Sequence, residues 1–225
     1  MTFSIIARDV RTGQIGMAAT TSDVGVGARV LHGRARIGGV LTQHTTDPRL
    51  GTRGVELLAD GLSAQATLDA LIASATCPAA RQLAVIDATG GTAVFDGEYV
   101  DRSRSFSAAV QSVAVIGNVL ASPEVGAAVL RRFLEDDGVD LAARLLAALR
   151  AGRDAGGEGV PLVSAGLLVV DEQSFPYVDL RVDLAAVDPI DELIALNDRF
   201  TPKRDDYVRR AIDPDVSYAF PGGQP

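Results

Sequence analysis

A chain of 225 residues is long enough to bury a sizeable core as one large domain or two small ones, and 47% hydrophobic with 22% charged residues is an ordinary globular balance. A formal net charge of −8 excludes a general nucleic-acid or anionic-membrane surface, since both need a basic face. The single cysteine, Cys77, excludes an internal disulfide and fits a reducing compartment; with no secretory leader and no apolar run of membrane-spanning length, a cytoplasmic protein is expected.

The chain opens on a strand. With period two, Phe3, Ile5 and Ala7 share one face and Thr2, Ser4, Ile6 and Arg8 the other. Asp9 to Gly13 supplies turn chemistry, and residues 14–21 return as a second strand. The glycine-rich stretch that follows (Gly25, Gly27, Gly33, Gly38, Gly39) lacks the Gly-Lys-Ser/Thr of a phosphate loop, so it is expected to be a loop followed by strands near 28–35 and 37–44. Asp47-Pro48 starts a helix with an apolar stripe of Leu50, Val55, Leu57 and Leu58, ended by Asp60-Gly61, and Ser63 caps another. Residues 81–87 and 92–95 form strands around an Ala88-Thr89-Gly90-Gly91 turn, and the mostly apolar run 107–118 is expected to be one strand buried on both faces. Ser122-Pro123-Glu124 begins a helix reaching Asp137-Gly138, and a further helix spans 141–151. A glycine-rich loop at 155–159 leads into strands at 163–171 and 177–183, and Asp188-Pro189 opens a last helix through Leu196. Beyond Thr201-Pro202 comes a charged, then Pro- and Gly-rich tail carrying Tyr207, Val208, Tyr218 and Phe220, expected at the surface or against a partner.

Strands and paired helices in this order imply an α+β domain over residues 1–200 followed by a tail, 201–225. Two stacked, mainly antiparallel sheets between helix layers would bury every apolar face; a simpler two-layer α+β fold is also permitted.

Thr2 poses the chemical question. A Thr hydroxyl is a poor nucleophile until a base takes its proton, and removal of Met1 would put an α-amine on the same residue to act as that base. The simpler alternative is a β-branched residue starting an edge strand. His32 and His44 are the only histidines, and neither belongs to a Cys cluster or a His-x-x-x-His spacing, so neither a metal nor a cofactor is expected. Ser22, His44 and Asp47 could form a Ser-His-Asp set, although triads are recognised by geometry and not by spacing, and Gly-x-Ser-x-Gly is absent. The doublets Asp136-Asp137 and Asp205-Asp206 are most simply solvated charge. Arg81 opens what should be a central strand, where a buried guanidinium is either paired structurally or holds an anionic substrate group.

The stretches Thr2-Phe3-Ser4-Ile5-Ile6-Ala7-Arg8-Asp9, Thr12-Gly13, Gly38-Gly39-Val40-Leu41-Thr42-Gln43 and Asp47-Pro48 resemble the DUF1028 family, regarded as similar to N-terminal-nucleophile hydrolases. Gly54-Val55-Glu56-Leu57-Leu58, Arg81-Gln82-Leu83, Gly117-Asn118, Ser164-Ala165-Gly166 and Tyr177-Val178-Asp179 continue the resemblance, which covers residues 2 to about 195. It implies the four-layer αββα sandwich of those hydrolases. The chain departs from the family pattern at Ile116, where Gln is usual, and at Leu162-Val163, where Arg-Gln is usual.

The expected function is hydrolysis of a small-molecule amide or cyclic amide by Thr2, with backbone N–H groups and Asn118 or Gln43 holding the oxyanion. A pocket containing Thr2 should include at least three of Thr20, Ser22, Gln43, His44, Arg81 and Asn118, with Arg81 attracting a carboxylate and Ile116, Leu162 and Val163 forming an apolar wall. The ligand should then be small, with one anionic or strongly polar end and one apolar end. The alternatives are a binding or assembly protein on the same scaffold, or a hydrolase with an internal nucleophile such as Ser22 and Met1 retained. A homodimer or larger homo-oligomer is expected.

Overall fold

The computed structural model describes residues 1–135, 138 and 140–214. Ten strands lie among them: β1 (Thr2–Arg8), β2 (Ile15–Thr21), β3 (Leu31–Arg34), β4 (Gly38–His44), β5 (Arg81–Asp87), β6 (Thr92–Asp96), β7 (Phe106–Val110), β8 (Val113–Asn118), β9 (Ser164–Val170) and β10 (Val178–Val182). They form a six-stranded sheet in the order β10-β9-β2-β1-β8-β7 and a four-stranded sheet in the order β3-β4-β5-β6. Every pairing is antiparallel. The molecule is therefore a mixed α+β protein built on two antiparallel sheets. β1 lies in the interior of its sheet, between β2 and β8, and is not the edge strand that its position in the chain invited.

Three helices begin where capping chemistry placed them, whereas the helix after Ser122 has Pro123 at its N-cap and no side-chain cap. Asp47 accepts from the Arg49 N–H ahead of α2 (Pro48–Ala59), Ser63 from the Ala66 N–H ahead of α3 (Ala64–Ser74), and Asp188 from the Ile190 and Asp191 N–H groups ahead of α6 (Pro189–Phe200). α4 (Glu124–Leu134) and α5 (Leu141–Asp154) lie between them in sequence, with Asp140 capping the second through the Ala143 N–H.

Three apolar clusters hold these elements together. In the first, Phe3, Ile5 and Ala7 of β1 meet Val125, Val129 and Phe133 of α4, Leu145 and Leu149 of α5, and Ile190 and Leu193 of α6. In the second, Ile6, Met17, Ala114 and Ile116 of the larger sheet meet Leu41, Ala84 and Ile86 of the smaller one. In the third, Val40, Leu83 and Val85 meet Leu57 and Leu58 of α2 and Leu68 and Leu71 of α3. Each Leu, Ile or Phe buried in this way contributes about 1.5–3 kcal/mol. β1 serves two clusters at once, because alternate side chains leave on opposite faces and both faces are covered.

Three expectations need correction. Residues near 28–35 are not one strand: α1 (Gly27–Val30) makes a single helical turn before β3. A Cβ added to Gly166 would lie 2.6 Å from the Gly27 Cα, so two glycines let that turn sit directly on β9. The run 107–118 is a hairpin, with Ser112 at φ 67° between β7 and β8 and its N–H donating to the Gly90 carbonyl over 2.9 Å. No Gly or Pro marks that turn, and uniform apolarity hid it. Finally, the stretch taken as tail contains α7 (Arg204–Ile212), where Arg204 pairs with Asp140 at 2.7 Å and lies over the Tyr177 ring. Tyr207 and Val208 lie on that helix, as do Asp205 and Asp206 in its first turn, whereas Asp136, Asp137, Tyr218 and Phe220 lie outside the described residues.

Candidate functional site

The register of β1 determines what surrounds Thr2. Thr2 stands opposite Asn118 on β8, and Phe3 stands opposite Thr20 on β2. Directly opposed residues share a face, so Thr2, Ser4 and Asn118 turn toward the smaller sheet while Thr20 goes with Phe3 to the helix side. Thr20 donates there to the Ser164 carbonyl over 2.9 Å and does not line the cleft. Its neighbour Thr21 has the matching parity: the Thr2 and Thr21 hydroxyl oxygens are 3.5 Å apart, and Thr21 donates to the Met1 carbonyl over 2.6 Å. The Thr2 hydroxyl also donates to that carbonyl.

A cleft of about 160 Å³ opens over Thr2, walled by Met1, Thr21, Ser22, Asp23, Arg29, His44 and Thr46 among others. Of the six polar residues expected beside Thr2, Ser22 and His44 line it. His44 adopts φ 72°, a left-handed conformation costing a non-glycine residue about 1–3 kcal/mol. Its Nδ1 lies 3.0 Å from the Ala80 carbonyl, and because a carbonyl only accepts, Nδ1 carries hydrogen and Nε2 is the nitrogen left for other work. Asp47 does not orient it; that carboxylate bonds Arg49 through both oxygens, at 2.9 Å each. The Ser22-His44-Asp47 set is therefore not assembled. Val119, immediately after Asn118, has φ 52°, so a second strained residue follows the strand end opposite Thr2.

Gln43 and Asn118 lie beneath the cleft in a buried polar network. Gln43 Nε2 donates to the Thr2 carbonyl over 3.4 Å and to Gln82 Oε1 over 2.7 Å, and its Oε1 accepts from Ser4 over 2.7 Å. Asn118 Nδ2 donates to the same Gln82 oxygen over 3.0 Å. Gln82 in turn donates to Asp96 over 2.8 Å and to the Gly117 carbonyl over 3.0 Å. Donors and acceptors alternate through the set, which fixes the amide orientations. Asn118 Oδ1 alone has no partner.

Arg81 is enclosed elsewhere. Its guanidinium donates to the Thr76 carbonyl over 2.8 Å and to the Thr45 carbonyl, and it stands 3.7 Å from Asp47. It does not line the cleft. Neither do Ile116, packed between the sheets, Leu162, packed on the helix side, or Val163, whose N–H donates to the Thr21 carbonyl over 2.8 Å.

Glu158 was not singled out in the sequence. It is 1% exposed, and one carboxylate oxygen accepts the Ser22 N–H over 2.9 Å. Burial pushes its carboxyl above the usual range, partly opposed by the Ser22 hydrogen bonds, the positive charge of the chain's amino group and the Thr21 hydroxyl. Thr21 and Gln82 were findable from period-two parity once the strands were paired; nothing local in a glycine-rich loop announced Glu158. Among the described residues no cluster of three or more His, Cys, Asp or Glu could hold a metal, and no helix is long and apolar enough to cross a membrane.

Among curated proteins none matches the chain. Among solved structures, protein SPO2555 from Silicibacter pomeroyi, whose crystal structure is described as family-model DUF1028, matches with a TM-score of 0.84 at 32% identity, over 93% of this chain and 94% of that one. Residues 2–193 match the model of DUF1028, a family of unknown function, and the chain belongs to that family.

Proposed function

We propose that this protein hydrolyses a small amide by the N-terminal-nucleophile route, with Thr2 as nucleophile after removal of Met1. The three apolar clusters then serve as the interlayer cores of a four-layer αββα sandwich, with Thr2 at the start of an interior strand. One observation carries the proposal: the Thr2 hydroxyl lies on a cleft wall, 3.5 Å from a second hydroxyl and backed by a Gln43 side chain 3.4 Å from its carbonyl. Loss of Met1 would leave an α-amine there on the same residue. The amine takes the Thr2 hydroxyl proton as the oxygen attacks the amide carbon; the C–N bond breaks as that proton passes to the leaving nitrogen. Water then cleaves the Thr2 ester, restoring the hydroxyl and releasing the acid.

Both Gln43 amide hydrogens are engaged, so Gln43 is assigned to holding Thr2 in place. Asn118 has one amide N–H beyond its bond to Gln82 and, with main-chain N–H groups, is assigned to the oxyanion. Arg29 is exposed on the cleft wall and forms no ion pair among the described residues. It takes the role first expected of Arg81, which favours an amide substrate bearing a carboxylate.

Intact mass should show a chain without Met1. Thr2→Ala should keep the native circular-dichroism spectrum while turnover of carboxylate-bearing amides falls by about 10³-fold or more, and Thr2→Ser should retain part of it. Full turnover by Thr2→Ala, or by a chain that retains Met1, ends the proposal.

A further inference from the structure

Glu158 is a buried carboxyl group that the fold leaves without an ordinary partner. It sits in the loop after α5, where Gly156, Gly157 and Gly159 take φ values of 121°, 55° and 74°, conformations that let the backbone double back and turn the carboxylate inward. One oxygen accepts the Ser22 N–H over 2.9 Å; the other is inaccessible to solvent and has no hydrogen-bond partner. No Arg or Lys among the described residues pairs with it. A buried carboxylate in that condition is costly unless a cation is supplied. Ser22, whose N–H it accepts, follows Thr21, the last residue of β2, and the amino group at the start of the chain is the positive charge that acts on Glu158 against the effect of burial. Thr21 also donates to the Met1 carbonyl over 2.6 Å, and the nitrogen of Thr2 belongs to that same peptide group.

We propose that Glu158 is the anionic partner of the chain's α-amino group, holding the resting Thr2 ammonium beside Thr21 once Met1 is gone; that ammonium gives up one proton to water before the amine, still held in place, serves as base. Glu158 is thus a positioning residue that never touches substrate, and this role rests on the N-terminal-nucleophile reading. The unpartnered Asn118 Oδ1, on the strand position opposite Thr2, is a second acceptor for the same ammonium.

The composition makes the test clean. Lys203 is the only lysine, so an acylating reagent such as acetic anhydride meets two amines, resolved by peptide mass, and Lys203 is an internal reference. At pH 7 labelling is proportional to the uncharged fraction of each amine. An ammonium that loses its anionic partner gives up its proton more readily, and one pKa unit is a tenfold change. Glu158→Gln, which keeps the shape and still accepts the Ser22 N–H, should raise α-amine labelling relative to Lys203 by about tenfold, while Glu158→Asp should raise it less. An unchanged ratio in a natively folded Glu158→Gln overturns the assignment. Should that variant fail to fold, the wild-type α-amine must label more slowly than that of a free peptide of the first eight residues in the same tube; equal or faster labelling overturns it. The same peptide masses report Met1. Loss of Met1 without the labelling change would refute the role of Glu158 and leave Thr2 as nucleophile. The labelling change on a chain that keeps Met1 would refute Thr2 as nucleophile and, with it, the role assigned here to Glu158.

Discussion

Gln82 is the hub of the buried network, and replacing it with Leu tests what that network contributes. Gln82 is fully buried, so Leu, close in volume, opens little cavity; the loss is of hydrogen bonding. One Gln43 N–H and one Asn118 N–H both lose the Gln82 oxygen, at 2.7 and 3.0 Å, and water cannot replace it. A stranded buried donor costs about 1–3 kcal/mol, so two predict about 2–6 kcal/mol. Asp96 loses one donor but keeps Ser107 at 2.5 Å and Arg102 at 2.8 Å, and adds little. Against a total stability of about 5–15 kcal/mol this is a large fraction, equivalent to a Tm lowered by about 4–24 °C in a chain of this size. Equilibrium urea unfolding measures it, with Gln65→Leu on the exposed face of α3 as the control expected within about 0.5 kcal/mol. A Gln82→Leu loss below about 1 kcal/mol would show that the network reorganises, and would refute the reasoning that fixes Gln43 behind Thr2.

Gly166→Ala places a methyl carbon 2.6 Å from the Gly27 backbone, which cannot rotate aside, so a loss of about 1–3 kcal/mol in urea unfolding is expected; a variant as stable as wild type would mean that α1 is free to lift from β9. Asp47→Asn keeps the cap on α2 but removes the charge facing Arg49 and Arg81. The Arg49 hydrogen bond and the charges of Arg49 and Arg81, against desolvation, hold the Asp47 carboxyl below its ordinary value of 3.8, so its contribution is present above that value and is lost as pH falls through the folded-state value. The Tm gap between wild type and Asp47→Asn should therefore be constant from about pH 7 to 5 and close toward about pH 2. A gap unchanged at the acid end would show that the carboxylate contributes through its shape alone.

Local sequence determined where most elements begin and end. Asp47, Ser63 and Asp188 cap the helices that their side chains announced, because a cap satisfies N–H groups two or three residues away and needs nothing else. Period two correctly divided β1 into the face of Phe3, Ile5 and Ala7 and the face of Ile6, since that alternation is a property of the strand itself. Which strands lie side by side depends on pairings across more than a hundred residues, and that the tertiary structure alone decided. Pairing with Asn118 across the chain made β1 an interior strand, whereas the pairing with β2 is a local hairpin whose register gave the site to Thr21 and withheld Thr20. Arg81 and Glu158 show the same limit for charge. The composition supplies both groups, yet only folding encloses Arg81 with Asp47 and two backbone carbonyls, and brings a carboxylate 136 residues from Ser22 within 2.9 Å of its N–H. A charge's partner is set by distance in space, and no period or cap in the chain encodes it.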